Sequence, residues 1–312
     1  MRLLKKEFVF TGTPDVPSCH ASTILRTADG TLVCAWFAGS YEKNPDVGIW
    51  YTVCQNGVWC QPRRIPAREQ VAHWNPALFE HPDGAVCLYY KYGETIYDWK
   101  TMTVTFDKSF TPGEPCEMVA GDCSGGRGPV KNKPILLSNG TVLAPGSTER
   151  GVWKLFVDRL PMNGEWEKVD IPSDESVNLI QPTLWESQNG CVHALMRSND
   201  GHIYRSDSTD FGVTWCKAYP TPHSNNNSGI DCTYTADKTL VLVCNPVQTN
   251  WGKRTPLSIF TSRDNGITFT EALRLETAPG EYSYPAVITH GDRLYVSYTY
   301  QRSFIAFCEI EM

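Results

Sequence analysis

Apolar residues along this chain come in short runs that alternate with polar ones, and a helical spacing of three and four is almost absent. The runs are rich in β-branched and aromatic residues and stop at Asp-Gly, Asn-Gly or Gly-Asp pairs, the chemistry of tight hairpin turns. Six of them open alike, near a Pro or a small residue, and reach a turn soon after: Ser22 to Gly30, Pro76 to Gly84, Pro134 to Gly140, Pro182 to Gly190, Asp231 to Asp237 and Pro285 to Asp292. A second apolar strand follows each turn, as in Thr31–Phe37, Ala85–Tyr90 and Leu294–Tyr300. Units one to five have room for two further strands joined by a second hairpin. The sixth has only Ser303–Ile310, enough for a third strand. The stretch Lys5–Phe10 at the other end is the expected fourth strand, closing a ring and removing an exposed edge. The pattern predicts an all-β chain of six units in a single domain, residues 1–312, with seven units as the competing count.

In two units the second hairpin repeats one pattern: Ser208-x-Asp210-x-Gly212-x-Thr214-Trp215 and Ser262-x-Asp264-x-Gly266-x-Thr268-Phe269. The Asp can hydrogen-bond backbone N–H groups ahead of it, the Gly takes positive φ, and the aromatic starts the return strand by packing inward. Gln55-Asn56-Gly57-Val58-Trp59 and Asn163-Gly164-Glu165-Trp166 read as eroded copies in units one and three. Repetition at this period signals stacked or radial all-β units. The pattern resembles the Asp-box of the sialidase-like β-propeller superfamily, and the resemblance implies a six-bladed β-propeller. An Asp-box is a turn device and says nothing direct about catalysis, but it marks a face. With each opening strand innermost, both hairpin turns of a blade lie at the bottom. The starts of inner strands, the loops between second and third strands, and the links between blades then gather at the top.

Composition narrows the function classes. Hydrophobic residues make up 41% of the chain, and 10 Trp, 14 Tyr and 12 Phe can fill a large core. A formal net charge of −6 and a pI near 5.7 give a nucleic-acid role no electrostatic support. No apolar run approaches a membrane span, and Met1-Arg2-Leu3-Leu4-Lys5-Lys6 lacks a following signal-peptide core. The 12 cysteines are scattered, without CxxC or Cys/His metal spacing, so neither a metal nor a cofactor is expected. They read as reduced, mostly buried thiols of a cytosolic protein; disulfides in a secreted protein that has lost its leader are the alternative. Oligomeric state is not specified by the sequence.

The candidate chemistry falls on the top face. Cations cluster there in an otherwise acidic chain, which points to an anionic substrate, and Arg suits a carboxylate because its planar fork binds both oxygens. Arg127 sits in a Gly-rich blade link, while Arg197 and Arg254 occupy matching loops of adjacent blades. Lys133, Asn75, Gln181 and Asp46 join them as candidate substrate-binding residues, and Glu42, Glu149, Arg150 and Arg302 share the same loops. His20 and His73 begin inner strands and are the candidate acid and base. Tyr282 begins another, and sugars stack well on aromatic rings. His81, His193, His202 and His290 fall near bottom turns or on strands and read as structural.

In sialidases three arginines hold the substrate carboxylate, a Tyr–Glu pair forms the nucleophile, and an Asp supplies acid–base chemistry. Arg197 and Arg254, each ahead of an Asp-box, look like the second and third arginines, and Glu281-Tyr282-Ser283 looks like the nucleophile segment. Two positions depart from that pattern: Cys19-His20-Ala21 stands where Arg-Ile-Pro opens the first blade, and Gln181 stands where the Glu partner precedes a Pro. Without its carboxylate a Tyr, of ordinary pKa about 10, is a poor nucleophile at neutral pH. The segments Ser18-Cys19-His20, Asn44-Pro45-Asp46, His73-Trp74-Asn75-Pro76, Arg127-Gly128-Pro129-Val130-Lys131-Asn132-Lys133 and Tyr282-Ser283-Tyr284-Pro285 are similar to a sub-branch that includes the L-rhamnose-α-1,4-D-glucuronate lyases. That resemblance implies β-elimination of a glycosyl-glucuronate. Arg127, Arg197 and Arg254 would neutralise the uronate carboxylate, and two of His20, His73 and Tyr282 would move protons at C5 and O4. Two alternatives stand beside it: a glycoside hydrolase using Asp46 with Glu42 or Glu94, and a non-catalytic propeller that binds an acidic oligosaccharide.

Overall fold

The computed structural model describes residues 1–67 and 70–312, and its regular elements are all strands. After β1 (Arg2–Thr11), blade 1 comprises β2 (Ser18–Arg26), β3 (Leu32–Gly39) and β4 (Gly48–Gln55), with β5 (Val58–Trp59) and β6 (Arg63–Arg64) both on the outer edge of β4. Blade 2 holds β7 (Ala72–Glu80), β8 (Val86–Gly93), β9 (Lys100–Phe106) and β10 (Cys116–Glu117). Blade 3 holds β11 (Ile135–Leu136), β12 (Val142–Thr148), β13 (Lys154–Leu160) and β14 (Glu167–Ile171). Blade 4 holds β15 (Leu179–Gln188), β16 (Cys191–Ser198), β17 (His202–Ser208) and β18 (Tyr219–Ser224). Blade 5 holds β19 (Asp231–Tyr234), β20 (Leu240–Cys244), β21 (Leu257–Ser262) and β22 (Thr270–Glu276). Blade 6 is built from β23 (Tyr282–His290), β24 (Arg293–Tyr300) and β25 (Phe304–Glu311), and β1 is its fourth strand. Six antiparallel sheets result, and the competing count of seven is set aside.

β1 pairs with β25 from Arg2 opposite Glu311 to Thr11 opposite Phe304, so the two ends of the chain share one blade. Phe10 is buried against Trp36 of blade 1, which ties the closing strand to the next blade as well. Both Asp-boxes form the hairpin between third and fourth strands. Asp210 Oδ1 accepts from the amides of Val213 at 3.1 Å and Thr214 at 2.9 Å, and Asp264 Oδ1 accepts from Thr268 N at 2.9 Å.

The inner strands share a feature that ordinary strand alternation does not predict. β2, β7, β15 and β23 each slip register near the top, after His20, Trp74, Ile180 and Ser283 respectively. At each slip one residue has left-handed backbone: Ala21 (φ 52°), Asn75 (φ 50°), Gln181 (φ 53°) and Tyr284 (φ 52°). Lys131 (φ 67°) precedes β11 in the same way. Such bulges bend the strand and re-aim its side chains, and they are common beside active sites. In blades 2, 4 and 6 the left-handed residue, Asn75, Gln181 or Tyr284, directly precedes the blade's Pro and lines the cavity at the top.

Candidate functional site

The tunnel itself is sealed by polar braces. Lys133 Nζ reaches both oxygens of Asp231, at 3.0 and 2.8 Å, and the carbonyl of Cys232 at 2.8 Å. Asp231 in turn accepts from Thr183 Oγ1 and Val287 N, so blades 3, 4 and 6 meet at one carboxylate of blade 5. Lys133 is therefore a brace between blades and does not face the top cavity. Arg127 is also spent elsewhere: its Nε lies 2.6 Å from Asp158 Oδ1, and its Nη2 donates to the carbonyl of Trp166. Asp158 is fully buried on β13, and leaving it unpaired in blade 3 would be costly.

Above the tunnel lies a cavity of about 240 Å³ whose lining draws on every blade. Arg197 ends β16, Arg254 lies in the loop before β21, and Arg302 lies in the turn between β24 and β25; all three face it. Arg197 is only 2% exposed and held from several sides. Its Nε donates to Asn227 Oδ1 at 2.9 Å, and its Nη1 reaches Gln181 Oε1 at 3.1 Å and the Tyr284 hydroxyl at 2.6 Å. Asn227 belongs to the buried link Asn225-Asn226-Asn227, and Asn226 Nδ2 holds the carbonyls of Gly252 and Lys253. One link thus fixes both Arg197 and the loop that delivers Arg254.

Arg302 supplies what blade 1 lacks. Its carbonyl accepts from Cys19 N at 2.7 Å, so the guanidinium arrives beside the start of β2, where the resemblance led one to expect an arginine from the Arg-Ile-Pro motif. Arg302 bonds Glu42 Oε2 at 2.5 Å and Glu281 Oε1 at 2.6 Å, and Glu281 also holds Arg254 at 2.8 Å. The clamp is Arg197, Arg254 and Arg302, and Arg127 drops out of it. Nothing in the local sequence around Arg302 signals this, because its partners come from blade 1 and from the opening of blade 6.

The structure exchanges one tyrosine for another. Tyr282 is 2% exposed and packs in the core of blades 5 and 6 against Tyr300, with burial pushing its phenol up. The bulge at Tyr284 swings that ring into the cavity instead, under the guanidinium groups of Arg197 and Arg254 at 5.6 and 5.5 Å. Alternation read from the sequence could not place this, since the bulge resets it. Asn75 and Gln181 reach the cavity by the same device.

The histidines sit behind it. The His20 ring packs 4.2 Å from the ring of Tyr284, is 2% exposed, and neither of its nitrogens has a hydrogen-bond partner among the described residues. Burial, then the charges of Arg302, Arg254, Arg197 and Lys131, push its pKa well below the usual histidine range, so the ring stays neutral. His73 Nδ1 is 3.0 Å from the carbonyl of Val47, and the ring lies against Tyr90 and Tyr92, with burial lowering its pKa. Neither histidine lines the cavity. The titratable side chains that do line it include Tyr284, Glu42 and Glu149.

Asp46 is part of the scaffold. Its oxygens accept from Ser40 N at 2.7 Å and Ser40 Oγ at 2.9 Å, closing the loop that presents Glu42. Burial alone would raise the Asp46 carboxyl, but these bonds outweigh it and hold it below its usual range. A larger hollow of about 800 Å³ opens beside Asp46 and Arg64. Its described lining residues bring only Asp46 and Arg64 as charged groups, whereas the central cavity gathers six charged side chains. Glu149 is half-buried, burial pushes its carboxyl up, and Arg197 only partly opposes the rise. Among the described residues no three or more His, Cys, Asp or Glu side chains are placed to hold a metal ion.

The comparisons agree with this geometry. A BNR repeat-like domain matches residues 30–296, and no curated protein matches the chain. A Dyadobacter fermentans protein of unknown function superposes with a TM-score of 0.82 at 14% identity, covering 100% of this chain and 99% of that one. The Hadza microbial sialidase Hz136 gives 0.82 at 14% identity, covering 98% of this chain and 68% of the other. The Trypanosoma rangeli sialidase, in complex with the inhibitor DANA, gives 0.75 at 12%; 98% of this chain matches 59% of its length. At these identities the likeness of structures is one of fold, and the family match covers most of the sequence. The chain belongs to the BNR repeat-like family of sialidase-type β-propellers.

Proposed function

We propose that the top cavity binds one carboxylated sugar and cleaves the bond to its neighbour, by β-elimination at a uronate such as the glucuronate of a rhamnosyl-glucuronate. The observation that carries this reading is the set of charges in the lining: Arg197, Arg254, Arg302 and Lys43 against Glu42 and Glu149. Three guanidiniums suit a carboxylate, and their field favours a transition state in which negative charge grows on that carboxylate. Elimination has such a transition state. Glycoside hydrolysis passes through an oxocarbenium-like cation, for which the arginines would hold the carboxylate without adding to the charge stabilised at the reacting carbon.

In the elimination, the Tyr284 hydroxyl first gives its proton to solvent; the C5–H bond then breaks and that proton goes to the Tyr284 oxygen, with Arg197 Nη1 at 2.6 Å balancing the charge between the two steps. The C5–H electron pair forms a C4=C5 double bond, and the C4–O4 pair departs with O4, which takes a proton from the cavity. At about 240 Å³ the cavity is smaller than the roughly 300–1,000 Å³ typical of drug-sized ligands. That size suits attack at a chain end. Trp251, 63% exposed at the rim, offers a ring face to the departing sugar.

Hydrolysis is the second reading, favoured by Glu42, a carboxylic residue in the lining. A panel of glucuronides and the matching neutral glucosides tests the carboxylate requirement. Turnover confined to the acids is expected, and equal turnover of neutral and acidic members would contradict it.

A further inference from the structure

We propose that Glu149 is the proton donor to the leaving oxygen in this cavity. The inference rests on the reading that the cavity cleaves a carboxylated sugar. Its own support is geometric. Three carboxyl groups approach the clamp, and two are committed: Glu42 to Arg302, and Glu281 to Arg254 and Arg302. Glu149 lines the same cavity and is in no hydrogen bond or ion pair among the described residues.

The chain is arranged to keep it there. Ser147 Oγ accepts from Gln181 N at 3.1 Å, fastening the end of β12 to the bulge of β15. On the other side, the Arg150 side chain turns outward to the carbonyls of Tyr97 and Cys123. Between these anchors Glu149 lines the cavity together with Gln181, Arg197 and Tyr284. The amide of Gln181 can accept a hydrogen bond but cannot supply a proton at neutral pH. The Glu149 carboxyl, on the neighbouring blade, can supply one. Burial favours its neutral form, the state a donor needs before the C4–O4 bond breaks. The proton passes from the Glu149 carboxyl oxygen to O4 as that bond breaks, and water restores it after product leaves.

The test uses the full chain, Glu149→Gln, and two substrates that differ only in the group on O4. One releases a sugar alkoxide, which needs a proton; the other releases 4-nitrophenolate, which does not. The variant is expected to lose about 10²- to 10³-fold in kcat on the sugar and less than about tenfold on the nitrophenyl ether. Equal losses on both, or no loss on either, would overturn the assignment. An infrared difference spectrum between wild type and variant, with free glucuronate present, is read separately. As pH is lowered, a protonated carboxyl band missing from the variant is expected to appear at a higher pH than in free glutamate, and a wild-type band appearing no earlier than in free glutamate counts against Glu149. If the wild type turns over neither substrate, elimination falls, and the infrared band still decides whether Glu149 holds a proton.

Discussion

Arg302 shows how a residue's role is set by partners distant in sequence. Its guanidinium joins Arg197 and Arg254 in the cavity because its own carbonyl is tied to Cys19 and its side chain to Glu42 and Glu281. Arg302→Ala should weaken binding of free glucuronate by about 2 kcal/mol, roughly 30-fold, the scale of a hydrogen bond to a charged group. Calorimetry reads this directly, and Arg302→Lys should recover only part because Lys lacks the planar fork. An unchanged affinity would remove Arg302 from the clamp. The chemistry of Arg197, Arg254, Asn75 and Gln181 was legible in the sequence as residues on top-face loops and strand starts. The choice of Tyr284 over Tyr282 was not, because the left-handed residue at the bulge breaks the period of two on which such reasoning depends. Arg127 misled for a different reason: its partner Asp158 is on another strand of the neighbouring blade, and nothing near Arg127 announces it.

At the scale of the strand and its turns, reading and structure coincide most closely. Both Asp-boxes fall on the hairpin between third and fourth strands, and the eroded copies in blades 1 and 3 fall on the equivalent turns. These turns carry stability and leave the cavity untouched. Hydrogen bonds from Ser262 and Thr268 hold the Asp264 carboxyl far below the usual carboxylate range. A group depressed in the folded state stabilises fully above its unfolded pKa of about 4, and that contribution fades as pH falls toward the folded value. Asp264→Asn should therefore melt a few degrees lower than wild type at neutral pH, with the gap narrowing between about pH 4 and pH 2. Melting curves across that range check it; a gap that widens in acid would contradict the assignment. Binding of glucuronate at neutral pH should be unchanged in the variant.

For the whole molecule, closure was readable because the sixth unit ran out of chain while an unpaired stretch remained at the other end. What could not be read is how the ring shares its parts. Lys133 and Asp231 join blades across the tunnel, and the three cavity arginines come from blades 4, 5 and 6. Removing residues 1–11 takes away Val9 and Phe10 from the core and bares β25 along its length. Burial of two such side chains is worth about 1.5–3 kcal/mol each, and an open strand edge favours association. The truncated chain should melt well below the full one and sediment partly as oligomers. An unaltered melting temperature would mean that β1 is dispensable for closure.

The account as a whole turns on whether the bond breaks by elimination. Glucuronate carrying deuterium at C5 within rhamnosyl-glucuronate gives the direct measurement. Elimination predicts a slowed reaction, loss of the deuterium from the sugar, and an unsaturated uronate whose mass with rhamnose sums to that of the substrate, less the lost label. Deuterium retained in a saturated glucuronate, with one water added across the products, would contradict it.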